Sequence, residues 1–150
     1  MPRSLRPIFT WLPVMVWMLV IFSASSDRAS FQHSSRLIGP LVQWFFPRIS
    51  EQSLHAVILG VRKAAHVTEY AILGVLCWIA FRSRGQPKQW DWRGARNSLF
   101  LVVSYAATDE FHQRFVPSRE ASLLDVLIDV AGGALGLLFV WIVGRWRKRW

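Results

Sequence analysis

Lys63, His66, Glu69 and Tyr70 follow one another at i, i+3, i+6 and i+7, and Asp109, His112 and Gln113 at i, i+3 and i+4. In a helix, such spacings put each group on one face. Asp125 and Asp129 stand one turn apart further along. An imidazole is suited to moving a proton near neutral pH, and a neighbouring carboxylate fixes which ring nitrogen carries it. Arg119 has the planar fork that clamps a phosphate or carboxylate, with Lys63 as a second cation. Glu110 is rotated off the Asp109 face but adds another acid beside it. The catalytic candidates are therefore His66, Glu69, Asp109, Glu110 and His112. The binding candidates are Lys63, Tyr70, Gln113, Arg119, Asp125 and Asp129.

These residues sit at one end only of three apolar segments. His66, His112 and Asp129 each lie 16 residues from an arginine at the opposite end, Arg82, Arg96 and Arg145 respectively. At about 1.5 Å rise per residue that is roughly 24 Å. Glu69 and Asp109 each lie 13 residues from Arg82 and Arg96, or roughly 20 Å. The shared depth marks a site, because charged groups inside a membrane are costly unless they face one another or a wet cavity.

Composition makes the membrane the expected setting. The chain has 150 residues, one domain's length, and is 53% hydrophobic and 18% charged, against about 25% charged in soluble domains. Its net charge of +9 is unevenly placed. Eleven cations and one acid, Asp91, flank one end of the apolar segments; seven cations and eight acids flank the other. The positive-inside rule makes the basic end cytoplasmic. Basic groups that border spanning segments do not form a groove-fitting face, which argues against nucleic acid. The lone cysteine, Cys77, cannot form a disulfide within the chain and is expected to pack as a small hydrophobe.

The expected fold is all-α: a polytopic membrane protein with four transmembrane helices, about 8–26, 63–81, 95–111 and 123–143, and both termini cytoplasmic. The first span resembles a cleavable signal up to Ser23-Ala24-Ser25, but it is expected to be retained. Between spans one and two, Leu37, Ile38, Leu41, Val42, Phe45 and Phe46 recur at helical spacing, interrupted by Gly39-Pro40. This short helix is expected in the interface, being too short to span. Ser50 is the expected N-cap of a long second helix. Gly132 and Gly136 form a small-xxx-small face for close packing inside the bundle. His33 and His55 are expected at the surface, and Thr108, Ser118 and Ser122 in capping or packing.

The second span runs inward and reads His66 then Glu69; the third runs outward and reads Asp109 then His112. Both carboxylates then lie deeper than both imidazoles, so two like pairs could face each other in a polar chamber opening outward.

Three runs carry a family resemblance: Arg62 to Gly74, with Lys63, His66, Glu69 and Tyr70; Thr108 to Arg119, with Asp109, Glu110, His112 and Gln113; and Asp125 to Gly136, with Asp129 and Gly132. In this order they closely resemble the VanZ-like family, over about residues 8 to 144. The resemblance implies an integral protein of the cell membrane acting on or near the envelope. The family's namesake accompanies glycopeptide-resistance genes and is associated with low-level teicoplanin resistance, while many members lie outside such clusters. It brings no settled reaction and no known cofactor.

Several chemistries fit. One is a metal-free site, catalytic or binding, for a lipid-like or cell-wall-precursor substrate with an anionic head. Another is a structural ion-pair network, since buried charges must be paired; buried pairs are often no better for stability than apolar packing, which weakens it. A third is a metal-dependent hydrolase using His66, Glu69, Asp109 and His112, Asp109-x-x-His112 having the spacing found in helical-bundle metal proteins. Against it, Arg62, Lys63, Arg114 and Arg119 nearly balance Glu69, Asp109, Glu110, Asp125 and Asp129 without a metal. Transport is the weakest, because the inner part of the bundle lacks a polar path. The oligomeric state is left open.

Overall fold

A computed structural model describes residues 6–25, 31–82, 89–115 and 122–150. They form five α-helices and no strand among the described residues: α1 (Arg6–Ser25), α2 (Phe31–Phe45), α3 (Glu51–Phe81), α4 (Trp92–Gln113) and α5 (Leu123–Trp146). The ends are set by local chemistry. Ser50 caps α3 by accepting from the Ser53 N–H at 3.2 Å, Asp91 caps α4 through Gly94 N–H at 2.9 Å, and Ser122 caps α5 through Leu124 N–H at 3.2 Å. Each satisfies an amide that the first helical turn leaves without a partner.

The short helix expected between α1 and α3 is present as α2. Gly39-Pro40 does not interrupt it; α2 continues through Pro40 as one helix of 15 residues. Proline removes one backbone hydrogen bond, at a cost of about 3 kcal/mol. α2 packs on α3. Leu54 and Ile58 are buried in the opening turns of α3.

α3 is the central element and touches every other helix. Its 31 residues extend about 46 Å, longer than a hydrocarbon core of about 30 Å. α3 and α5 are both long and apolar enough to cross a membrane, and only 28% of each apolar window is buried. A soluble core helix would hide most of that surface; these present it outward.

Contacts along the helices fix their directions. Lys63, His66, Val67 and Ala71 of α3 meet Asp125, Asp129, Gly132 and Gly136 of α5 in the same order, so the two run parallel. Tyr70 meets Asp109 while Gly74 meets Ser98, so α4 runs opposite to α3. Ser25 meets Asp109 and Met18 meets Tyr105, so α1 runs with α4.

Glycine lets α3 and α5 approach backbone to backbone. A Cβ on Gly132 would stand 2.6 Å from the Val67 carbonyl oxygen, and one on Gly136 would collide with that of Ala71. Gly74 faces the Gly133 carbonyl in the same way. The expected close packing of the small-residue face therefore takes place within the bundle. On the other side of α3 the buried residues Val14, Ile21, Tyr70, Leu73, Cys77, Val102 and Ala106 form a core shared by α1, α3 and α4. Cys77 is free and fully buried there, as its apolar setting suggested.

Gly136→Ala is expected to lower stability by about 1–3 kcal/mol, the usual cost of overpacking, because Ala71 backbone blocks the new methyl. Gly60→Ala, with nothing within 4 Å of its Cβ, should instead gain about 0.4–1 kcal/mol from a less flexible unfolded chain. Unfolding of the purified chain in detergent measures both, and equal responses would contradict the packing.

Candidate functional site

The directions above bring the C-terminal end of α1, the middle of α3, the C-terminal end of α4 and the first turns of α5 to one level. Polar residues collect there. Asp109 is 3% exposed, and its Oδ2 accepts from Ser25 Oγ at 2.7 Å, Gln113 Nε2 at 3.1 Å and Tyr70 OH at 3.4 Å. One carboxylate oxygen thus joins three helices. Its Oδ1 is buried and has no hydrogen-bond partner among the described residues.

The second grouping lies between α3 and α5. His66 Nδ1 stands 3.4 Å from Asp129 Oδ1, with side chains 22% and 4% exposed. One turn outward, Lys63 Nζ is 3.3 Å from Asp125 Oδ1, but both side chains are well exposed, at 47% and 40%. An exposed pair of this kind contributes about 0–1 kcal/mol. The close approach at Gly132 sets the inner pair: Asp129 precedes that glycine by one turn and His66 precedes its Val67 contact by one residue.

His112 is half-buried with its ring against Phe22, centroids 4.6 Å apart. Its Nδ1 is buried and has no hydrogen-bond partner among the described residues. Glu110 is buried and accepts from the Ser122 backbone N–H, so it holds the start of α5 against α4. Glu69 is half-buried, and its backbone carbonyl accepts from Trp17 Nε1 at 2.8 Å.

The expected apposition of two like His–carboxylate pairs is replaced by a different pairing. Asp109 meets Tyr70 of α3, one residue beyond Glu69, and His66 turns to Asp129 of α5. The helical rotation per residue explains the change: with Tyr70 fully buried in the core with α4 residues, the adjacent position is swung to a different side. Glu110, expected off the working face, is drawn in by the α5 start. The four candidates for a metal, His66, Glu69, Asp109 and His112, are not gathered. Among the described residues no three His, Cys, Asp or Glu side chains converge as a metal-holding group. Arg119 and Ser118 lie outside the described residues.

Sequence reasoning missed Ser25. It was visible only as a small residue closing an apolar run, yet it is fully buried against Asp109. Its partner lies 84 positions away, and no local spacing rule connects them. Tyr70 donates to Asp109 and also packs in the apolar core. Thr108 is exposed and bonds back to the Tyr105 carbonyl of its own helix.

A family model described as VanZ/LLP1 matches residues 9–144, and the chain belongs to that family. No curated protein and no solved structure matches it. Family and candidate spans together indicate a membrane location.

Asp109→Leu is expected to destabilise the chain by about 3 kcal/mol or more, because it strands donors on Ser25, Tyr70 and Gln113, and each buried unsatisfied group costs about 1–3 kcal/mol. Ser25→Ala removes one donor and should cost about 1 kcal/mol. Lys63→Ala should fall within about 1 kcal/mol of wild type. Chemical unfolding of the three variants gives the order; a Lys63 effect as large as that of Asp109 would refute it.

Proposed function

We propose that this chain is a single-domain, four-span protein of the cytoplasmic membrane, with α1, α3, α4 and α5 as spans, α2 in the outer interface and both termini cytoplasmic. Its polar band lies beneath the outer leaflet and forms an outward-facing chamber. The band binds, and chemically acts on, an amphipathic substrate with an anionic head, a lipid or a lipid-linked cell-wall precursor.

The observation that carries this reading is that Asp109 Oδ1 and His112 Nδ1, on one face of α4, are among the buried polar atoms with no hydrogen-bond partner among the described residues. Buried polar groups are nearly always hydrogen-bonded, and exceptions call for a reason. A network made only for stability would match them. Here they offer an acceptor and an imidazole to an incoming group. Asp129 orients His66, which supplies a second proton carrier on α3. Lys63 and Arg119 hold the anionic head, Gln113 and Tyr70 fix Asp109, and water activated by His112 or His66 serves as nucleophile for hydrolysis. Glu69 adds a carboxylate to the same level. Glu110, bound to the start of α5, acts as a positioning residue.

A structural network is the second reading, favoured by the three donors on Asp109 and by the Glu110 contact. The metal-dependent reading has less support, because its four ligands do not converge as a group among the described residues. The family's link to teicoplanin resistance makes a cell-wall precursor a natural substrate class without selecting one.

Profiling lipids and cell-wall precursors in cells carrying wild type, Glu69→Gln, His112→Ala or Arg119→Lys separates the two readings. One precursor class should accumulate in all three variants while protein levels stay normal. Loss of the variant proteins, or normal levels with unchanged profiles, would overturn the substrate reading.

A further inference from the structure

The opposite, basic end of the bundle holds a feature that the polar band does not use. Between α4 and α5 lies an almost wholly apolar groove of about 560 Å³, whose lining includes Trp92, Leu99, Ala134, Leu138 and Trp141. This is within the range of about 300–1,000 Å³ typical of small-molecule sites. Among the described residues, Arg96 is the one charged residue in the lining. It is exposed and makes no hydrogen bond or ion pair among the described residues.

The neighbouring charges at this end are differently engaged. Arg82 lies over the Trp78 and Trp150 rings, 4.9 and 5.3 Å from their centroids, and Arg145 lies 5.7 Å from that of Trp141. Asp91, the acid nearest in sequence, is tied to the Gly94 N–H at the start of α4. Arg96 is left with its planar donors available beside an oily slot.

We propose that this groove holds an acyl chain of an anionic phospholipid whose phosphate is clamped by Arg96. An apolar slot on a lipid-facing surface suits hydrocarbon, and a guanidinium at its edge selects a negative head group through paired hydrogen bonds. Basic pockets between transmembrane helices on the cytoplasmic side are where such head groups are recognised. Trp92 and Trp141 supply amphipathic rings of the kind enriched at head-group level. The inference rests on the bundle's crossing the membrane and not on the chemistry of the polar band.

The test uses the full chain purified in detergent. Retention of phosphatidylglycerol and phosphatidylcholine is compared by native mass spectrometry, with quenching of tryptophan fluorescence by brominated forms of each lipid as a second readout. Wild type should retain phosphatidylglycerol about fivefold better, the equivalent of one basic contact near the surface. Arg96→Gln should remove that preference, and Arg93→Gln, outside the groove lining, should keep it. Ala134→Phe, filling the groove from an exposed position, should reduce retention of both lipids and the quenching with them. No preference in wild type overturns the proposal, as does an Arg93→Gln effect equal to that of Arg96→Gln, which would mean surface charge alone. Unchanged retention in folded Ala134→Phe overturns it too. So does dimerisation in lipid-free detergent that Ala134→Phe abolishes, since a second copy would then fill the groove. Should Ala134→Phe not fold, the two arginine variants decide.

Discussion

The backbone contact between α3 and α5 at Gly132 and Gly136 governs what the rest of the structure can be. Both glycines meet carbonyl oxygens of residues spaced by four, Val67 and Ala71, so the two parallel helices are locked over successive turns. Sliding one past the other would lift a glycine off its contact and bring a larger residue onto a carbonyl. Where lipid tails are as apolar as the side chains, close packing of this kind is the main source of helix association. With the register set, His66 faces Asp129 and Lys63 faces Asp125 without further adjustment.

α1 and α4 complete the site from the other side of α3. Trp17 donates to the Glu69 carbonyl and Tyr105 to that of Met18, two ties from ring donors to backbone that hold α1 along the bundle. Ser98 adds a buried bond to the Gly74 carbonyl. With α1 held, Ser25 arrives at Asp109 and Phe22 at the His112 ring. The first helix thus forms one wall of the polar band. Its apolar residues Val14 and Ile21 pay for that position by burial in the core.

The two ends of the bundle solve opposite problems. At the polar end, buried Asp109 and Asp129 and half-buried His66 and His112 are contributed by three helices. At the basic end, Trp78, Trp90 and Trp150 pack ring on ring, with Arg82 over two of them. Arginine there keeps its charge near water while its flat face rests on the indoles. One end gathers polar side chains, the other aromatic surface.

Much of this was legible in the residues. Ser50 and Ser122 mark helix starts because capping depends on a few neighbouring atoms, and Lys63, His66, Tyr70, Asp109, Gln113, Asp125 and Asp129 declare a polar face because helical spacing is a local property. The glycine face was readable for the same reason. Pairing was not. Whether His66 would meet Asp109 or Asp129 depends on the rotation of whole helices, which is set by contacts between positions dozens of residues apart. Ser25 shows this most clearly: its fully buried bond to Asp109 exists only because α1 is held against α3 and α4 by rings on distant residues. Sequence by itself determined the helices and the level at which their ionisable groups stand. Tertiary structure alone decided which of those groups touch, because local hydrogen bonding fixes a side chain's place on its own helix but leaves the helix free to turn until packing stops it.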